Sequence, residues 1–312
     1  MASGAKRYSY LGPVGTFTWE ALGQVSAAAG QEWVSVHNVG EALDDVLSGR
    51  SDFAMIAIEN SIEGGVSATQ DALAMAPELR IVGEYMVPVR FVLAVKPGQA
   101  LSDVTTVAAH AVAYAQCRGW LEANLPHHSH VPARSNVHAA QTIVDDGLAD
   151  AAIAPPGITQ HAGVDVVAEN IGDNPNAETR FVLVQKGGQP PARTGADKTS
   201  IIAELPDDGP GRLLEMLEQF ATRGVNMSLL ESRPIGDAMG RYRFVIDLDG
   251  HVDDERVADA LLGLRRFSPN VIYLGSYPRA NGHKPEVSPR NSDAAFVDAR
   301  AWLEGLRTGS SE

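Results

Sequence analysis

Four short segments gather side chains able to hold and polarise a small organic molecule. Glu59-Asn60-Ser61-Ile62-Glu63-Gly64-Gly65 follows an apolar run and combines an accepting carboxylate with an amide and a hydroxyl that both donate and accept. Thr179-Arg180-Phe181 sets a neutral hydroxyl beside a guanidinium, whose planar fork suits a carboxylate. Gly12-Pro13-Val14-Gly15-Thr16-Phe17-Thr18 joins a strand to a helix, where glycines permit close backbone approach and free N–H groups favour an anion. His110 begins another helix, with Gln116 and Cys117 two turns further on. Each segment also has a plain structural reading. The glycine segment is an ordinary turn with Thr18 as helix cap, and Glu59–Gly65 an Asx or Ser turn. Arg180 is a surface ion pair with Glu178 or a brace for the Glu59 loop, and Cys117 a small buried apolar residue. The glycine spacing matches neither a Walker loop nor a complete G-x-G-x-x-G, so nucleotide binding is not indicated. His127-His128-Ser129-His130 lacks a carboxylate spaced to complete a metal shell, so no metal is expected.

The elements that must position these groups alternate through the first 186 residues. Strand-like runs lie at 7–10, 33–36, 53–58, 80–95, 106–108, 151–153, 164–171 and 181–186, with helix-like segments at 18–28, 39–48, 67–75, 111–123, 135–145 and 155–161. This βαβ rhythm implies an α/β fold with largely parallel sheets. Residues 80–95 are long for one strand and broken by Pro88, which suggests a crossing between two sub-sheets; 164–171 is a candidate return. Two lobes joined by two crossings leave a cleft, a favoured place for a ligand.

Residues 187–197 read as a linker, and 198–280 as a compact β-α-β-β-α-β unit of ferredoxin-like order. One face of its sheet is expected to lack helices and to need a partner or water. Within it, Gly211-Arg212-Leu213-Leu214 opens a helix, Asn226 precedes a strand, and Glu231-Ser232-Arg233-Pro234 ends that strand. Residues 281–312 form a polar tail with one short helix, 293–306.

Composition narrows the partners. The 312 residues carry 25 Lys+Arg against 39 Asp+Glu, and residues 1–197 alone carry 11 against 21. Such acidity disfavours nucleic acid and anionic membranes. No apolar run reaches the roughly 18 residues of a spanning helix, and no secretory leader is visible, so a cytoplasmic protein is expected. One cysteine permits neither an internal disulfide framework nor a thiolate zinc site.

Taken in order, Gly-Pro-x-Gly-Thr-Phe at 12–17, Glu-Asn-Ser-x-Glu-Gly at 59–64, Thr-Arg-Phe at 179–181 and Glu-Ser-Arg-Pro at 231–234 resemble the prephenate dehydratase family. The resemblance covers residues 7–280. It implies a two-lobed catalytic region like a type II periplasmic binding protein, followed by an ACT regulatory domain. The implied reaction turns prephenate into phenylpyruvate, CO2 and water on the route to phenylalanine, without a cofactor. By position Thr179 is the implied catalytic residue, with Arg180, Glu59, Asn60 and Ser61 beside it and Thr16, His110, Gln116 and Phe181 around the substrate. The implied L-phenylalanine site comprises Gly211–Leu214, Asn226 and Glu231–Pro234, at an interface between ACT domains of a homodimer or homotetramer. Arg212 stands where the family usually has alanine, which either spares the binding backbone or alters effector selectivity. An arogenate dehydratase and a non-catalytic amino-acid sensor or solute-binding protein are the alternatives.

Overall fold

The computed structural model describes residues 4–236 and 240–309; residues 1–3, 237–239 and 310–312, at the edges or within the expected regions, lie outside the described residues. Chain order begins β1 (Arg7–Leu11), α1 (Phe17–Gly23), β2 (Glu32–Val36), α2 (Val39–Leu47), β3 (Phe53–Asn60), β4 (Gly64–Gly65), α3 (Ser67–Ala74), β5 (Leu79–Pro88) and β6 (Val92–Val95). It continues with β7 (Thr106–Ala109), α4 (Ala111–Gln116), α5 (Arg118–Asn124), β8 (Ser129–Pro132), α6 (Asn136–Asp145), β9 (Ala151–Ala154), β10 (Asp165–Ala168) and β11 (Glu178–Lys186). The last third is β12 (Asp197–Glu204), α7 (Arg212–Ala221), β13 (Met227–Pro234), β14 (Tyr242–Asp249), α8 (Glu255–Phe267), β15 (Val271–Pro278) and α9 (Asp293–Thr308).

Three sheets result. The first has the order β2-β1-β3-β11-β5 with β4 attached to β3, and the second the order β10-β6-β9-β7-β8. The third, β13-β14-β12-β15, is antiparallel throughout and is flanked in sequence by α7 and α8 in βαββαβ order. Pro88 does end a strand: β5 belongs to the first sheet and β6, four residues on, to the second. The sheets are mixed rather than largely parallel. β1 pairs in parallel with β2 and β3, and β7 with β8 and β9, but β6 runs antiparallel to both β9 and β10. A strand that enters by crossing from another sheet is not bound to the direction a βαβ unit imposes.

The second sheet is buried on both faces, and its alternation is strict. Leu93, Val95, Val107, Ala109, Ala151 and Ile153 face a cluster with Cys117 and Leu121, whereas Val92, Ala94, Ala108, Ala152 and Ala154 face one with Val137, Ala140 and Ile143. The helix expected over 111–123 breaks at Cys117. There the Asp173 carboxylate takes the N–H groups of Gly119 (2.9 Å) and Trp120 (3.1 Å), while the Asp173 N–H donates to the Gln116 carbonyl (2.7 Å). A carboxylate from a distant loop thus starts a second helix. The 155–161 segment is a 3₁₀ turn (Pro156–Gln160), and the helix of 18–28 shortens to α1 plus a 3₁₀ turn (Ser26–Ala28).

The chain packs as two compact units that do not follow its linear order. The first runs to Val66 and resumes over Tyr85–Phe181; the second is Ser67–Glu84 together with the chain from Val182 onward. On the helix-free face of the third sheet lie α3 and the first half of β5. Lys198 Nζ donates to Glu84 (2.8 Å), Gln70 Nε2 to Glu231 (2.5 Å), and Arg233 and Arg243 both to Asp71 (2.6 and 2.7 Å). Gly275 has φ +145°, and a Cβ there would come within 2.3 Å of the Ile81 carbonyl oxygen, so only glycine lets β5 approach this closely. The opposite face holds the unit's core, including Ile201, Ala203, Met216, Phe220, Ile246 and Leu264. The tail is tied down as well. Arg193 binds Asp293 (2.7 Å), Asp293 accepts the Glu255 N–H (3.0 Å), and Arg300 pairs with Glu255, so α9 extends to sixteen residues. Among the described residues no helix is long and apolar enough to cross a membrane.

Candidate functional site

Within the first unit a cavity of about 310 Å³ opens between residues of the first two sheets. Its position follows from strand direction. Gly12 follows β1, His37 follows β2, Asn60 ends β3, His110 follows β7, Arg134 follows β8 and Pro155 follows β9, and all six line the cavity. Ligands in α/β sheets sit where carboxyl ends of strands face a crevice. Thr179, second residue of β11, arrives at the same end.

Thr179 is 8% exposed and lines the cavity. Asn60 Nδ2 donates to Thr179 Oγ1 at 2.9 Å. The amide cannot turn round, because Asn60 Oδ1 already accepts the Ile62 N–H (2.9 Å). With a lone pair of Thr179 occupied by Asn60, the threonine proton is left to donate elsewhere. Ser61 does not line the cavity. It ties the loop to β11, its N–H donating to the Glu178 carbonyl (2.9 Å) and its hydroxyl accepting the Glu178 N–H (3.0 Å). Glu59 also lies outside the lining, its carboxylate accepting from Arg180 Nε at 2.8 Å. Arg180 is 4% exposed and absent from the cavity wall. Of the roles weighed for it, the geometry supports the brace of the Glu59 loop and not the carboxylate clamp.

The four residues expected around a substrate, Thr16, His110, Gln116 and Phe181, all line the cavity. Thr16, and not Thr18, caps α1: its hydroxyl donates to the Leu11 carbonyl (3.0 Å) and accepts the Trp19 N–H (3.3 Å). His110 caps α4 through Nδ1, which accepts the Val112 N–H (3.3 Å) and leaves Nε2 to carry the proton of the neutral ring. Gln116 is 8% exposed, and its Oε1 is buried without a hydrogen-bond partner among the described residues. A buried acceptor left open at a cavity wall is costly unless a ligand satisfies it. Phe17, Phe91, Val112 and Ala113 complete an apolar wall, with Phe17 and Phe91 edge to face at 5.8 Å. Cys117 is fully buried, and burial pushes its thiol up to about 12, so it carries no thiolate near neutral pH.

Sequence reasoning missed His37, Asn136 and Arg134. The signal was available in principle, since each follows a strand whose neighbours are parallel. β8 was not legible, however, because it begins within the histidine tract and holds only four residues. In the structure His128 bonds Tyr114 Oη (2.8 Å) and His130 stacks on the Tyr114 ring at 3.9 Å. No group of three or more metal-ligating side chains forms among the described residues.

In the second unit Glu231 and Arg233 face α3 through Gln70 and Asp71. The guanidinium of Arg233, then that of Arg243, holds the Asp71 carboxyl below its ordinary range. Arg212 is engaged by Asp207 (3.0 Å) and Glu215 (2.9 Å), and Asn226 donates to Asp249 (2.9 Å). Gly211 has φ +84° and precedes α7, whose Leu213 and Leu214 are exposed, as is Leu230 on β13.

A mostly apolar crevice with a few fixed neutral donors and acceptors defines a small-molecule enzyme site on an α/β scaffold. Residues 8–189 match the prephenate dehydratase family model, and the chain belongs to that family. It is 43% identical over 314 residues to a prephenate dehydratase of Mycolicibacterium vanbaalenii, covering 96% of this chain and 98% of the relative. The solved prephenate dehydratase of Arthrobacter aurescens in complex with L-Phe is 50% identical, with TM-score 0.92 over 97% of this chain and 99% of that one. A structure described as GqqA, a novel type of quorum-quenching acylase, is 28% identical with TM-score 0.75, covering 88% and 98%.

Proposed function

We propose that this chain is a prephenate dehydratase, a carbon–oxygen lyase that forms phenylpyruvate, CO2 and water from prephenate. The observation that carries this reading is the Thr179 hydroxyl, held by Asn60 at the wall of a mostly apolar cavity that is also lined by Gln116 with its open acceptor. Prephenate is a dianion poised to aromatise. The bond to the ring carboxylate breaks, its electron pair enters the ring, and the opposite hydroxyl leaves with one proton as water. The driving force lies in the substrate, so the protein supplies position and a proton for the departing oxygen. Thr179 donates to that oxygen, directly or through water, and its hydroxyl takes a proton back from solvent, while the leaving hydroxyl's own proton meets Gln116 Oε1. His110 Nε2 is a further neutral donor. Arg180 and Glu59 act at one remove by holding the loop that carries Asn60. No electron acceptor or metal is required by this chemistry.

The same reading divides the chain into a two-lobed, type II periplasmic-binding-protein-like catalytic region (1–186), a linker (187–197), a ferredoxin-like ACT domain (198–280) and a tail (281–312). L-phenylalanine, bound in the Arthrobacter relative, is the proposed feedback effector, received by Gly211–Leu214, Asn226 and Glu231–Pro234 at the junction of ACT domains in a cytoplasmic homodimer or homotetramer. Arg212, held by Asp207 and Glu215, leaves the Gly211 backbone clear for it. The test is a phenylpyruvate absorbance assay on prephenate, with arogenate alongside and phenylalanine added. Phenylpyruvate release that phenylalanine suppresses supports the reading. Phenylalanine binding without turnover of prephenate contradicts it, and faster turnover of arogenate reassigns the substrate.

A further inference from the structure

Prephenate carries two carboxylates, and only one survives the reaction. The ring carboxylate must surrender its charge as it becomes CO2. A cation bound to it would hold the ground state more tightly than the transition state and slow the cleavage. The side-chain carboxylate keeps its charge from substrate through transition state to product, so a cation there strengthens all three alike. One clamp on the retained carboxylate and an apolar wall for the departing one is therefore the arrangement the chemistry favours.

The cavity has that composition. Phe17, Phe91 and Phe181 contribute to an apolar wall, and Arg134 is the arginine among its lining residues. Arg134 is exposed, lies between β8 and the capping Ser135 of α6, and makes no ion pair or hydrogen bond among the described residues. The other arginines and lysines of the first unit are paired with carboxylates or lie off the cavity wall, Arg180 among the paired. In a region with 11 Lys+Arg against 21 Asp+Glu, an unpaired cation at the wall is what a dianion can reach.

We propose that Arg134 binds the side-chain carboxylate, the group common to prephenate and phenylpyruvate; this rests on the prephenate dehydratase reading of the cavity. Binding that is uniform along the reaction appears in KM and not in kcat. The experiment measures prephenate kinetics and product inhibition for wild type, Arg134→Gln and Arg134→Lys. Arg134→Gln is expected to raise KM about tenfold, as loss of a charge-assisted contact at an exposed site implies, with kcat within about twofold. The inhibition constant of phenylpyruvate should rise by the same factor. Arg134→Lys, which keeps the charge but loses the fork, should fall between the two, and added salt should narrow the gap from wild type. Unchanged KM in Arg134→Gln overturns the clamp while leaving the dehydratase reading intact, as does a raised KM with unaltered phenylpyruvate inhibition. A wild-type protein that releases no phenylpyruvate overturns both.

Discussion

The two compact units handle polarity in opposite ways. Around the cavity of the first, the polar groups of the wall are mostly hydroxyls and amides (Thr16, Thr18, Ser135, Thr179, Asn60, Gln116 and Asn136), with the imidazoles of His37 and His110 and one exposed guanidinium, Arg134. Its buried cation, Arg180, is turned away and spent on Glu59. In the second unit, charge pairs bind segments far apart in sequence. Lys198 meets Glu84 at 2.8 Å with Asp247 at 3.9 Å, Arg279 meets Asp249 at 2.9 Å, and Arg233 and Arg243 share Asp71. A reaction whose substrate brings its own driving force and sheds charge is served by neutral hydrogen bonds in apolar surroundings. Joining a helix from early in the chain to a strand from late in it is served by ion pairs. Their net contribution is small, but a buried one is costly to break on one side.

That contrast can be broken at four points. The largest effect is expected in the cavity, where Thr179→Val should lower kcat by about 10²–10⁴ with little change in KM, as for loss of a positioned proton donor. Next, Lys198→Met removes the cation between Glu84 (2.8 Å) and Asp247 (3.9 Å), both deeply buried, and should cost about 3–5 kcal/mol in urea unfolding while sparing kcat of the folded protein. Asn60→Ala removes the donor that orients Thr179, and a single neutral hydrogen bond of about 1–1.5 kcal/mol predicts roughly a tenfold loss of kcat. The smallest effect is expected at Asp71→Asn. It should leave basal turnover unchanged and shift phenylalanine sensitivity by about two- to fivefold, because its ion pairs are partly exposed.

Asp71 also gives a pH signature. Its carboxyl is lowered by Arg233 and then Arg243, so its stabilisation is present above the ordinary carboxylate range and is lost as pH falls through the depressed value. Thermal scans should show wild type and Asp71→Asn converging below about pH 4 and separated at neutral pH. A constant separation from pH 7 to pH 3 would mean that the carboxylate charge does not hold α3 to β13.

How much of this was legible depended on whether the signal was local. The buried strand Phe53–Asn60, the crossing at Pro88 and the βαββαβ order follow from hydrophobic period and turn residues that act within a few positions. Thr16, His110, Gln116, Phe181 and Thr179 were singled out by the resemblance of their motifs to the family, and all line the cavity. What escaped is long-range. Cys117 breaks a helix because Asp173, more than fifty residues on, supplies the cap. Ser67–Glu84 joins the second unit because Asp71 and Glu84 find Arg233, Arg243 and Lys198 there, and nothing near residue 70 announces those partners. Arg180 illustrates the same limit. Its fork suits a ligand carboxylate as well as Glu59, and only the fold decides between them. Arg134 was passed over because β8, a short strand with polar and histidine side chains, does not read as a strand.

In the proposed mechanism the Thr179 hydroxyl, held by Asn60, carries turnover. Its most direct measurement is phenylpyruvate release at saturating prephenate by wild type, Thr179→Ser and Thr179→Val. Serine, which keeps the hydroxyl, should stay within about tenfold of wild type, while valine should lose about 10²–10⁴. Valine turning over as fast as serine, in a protein that still folds, would contradict it.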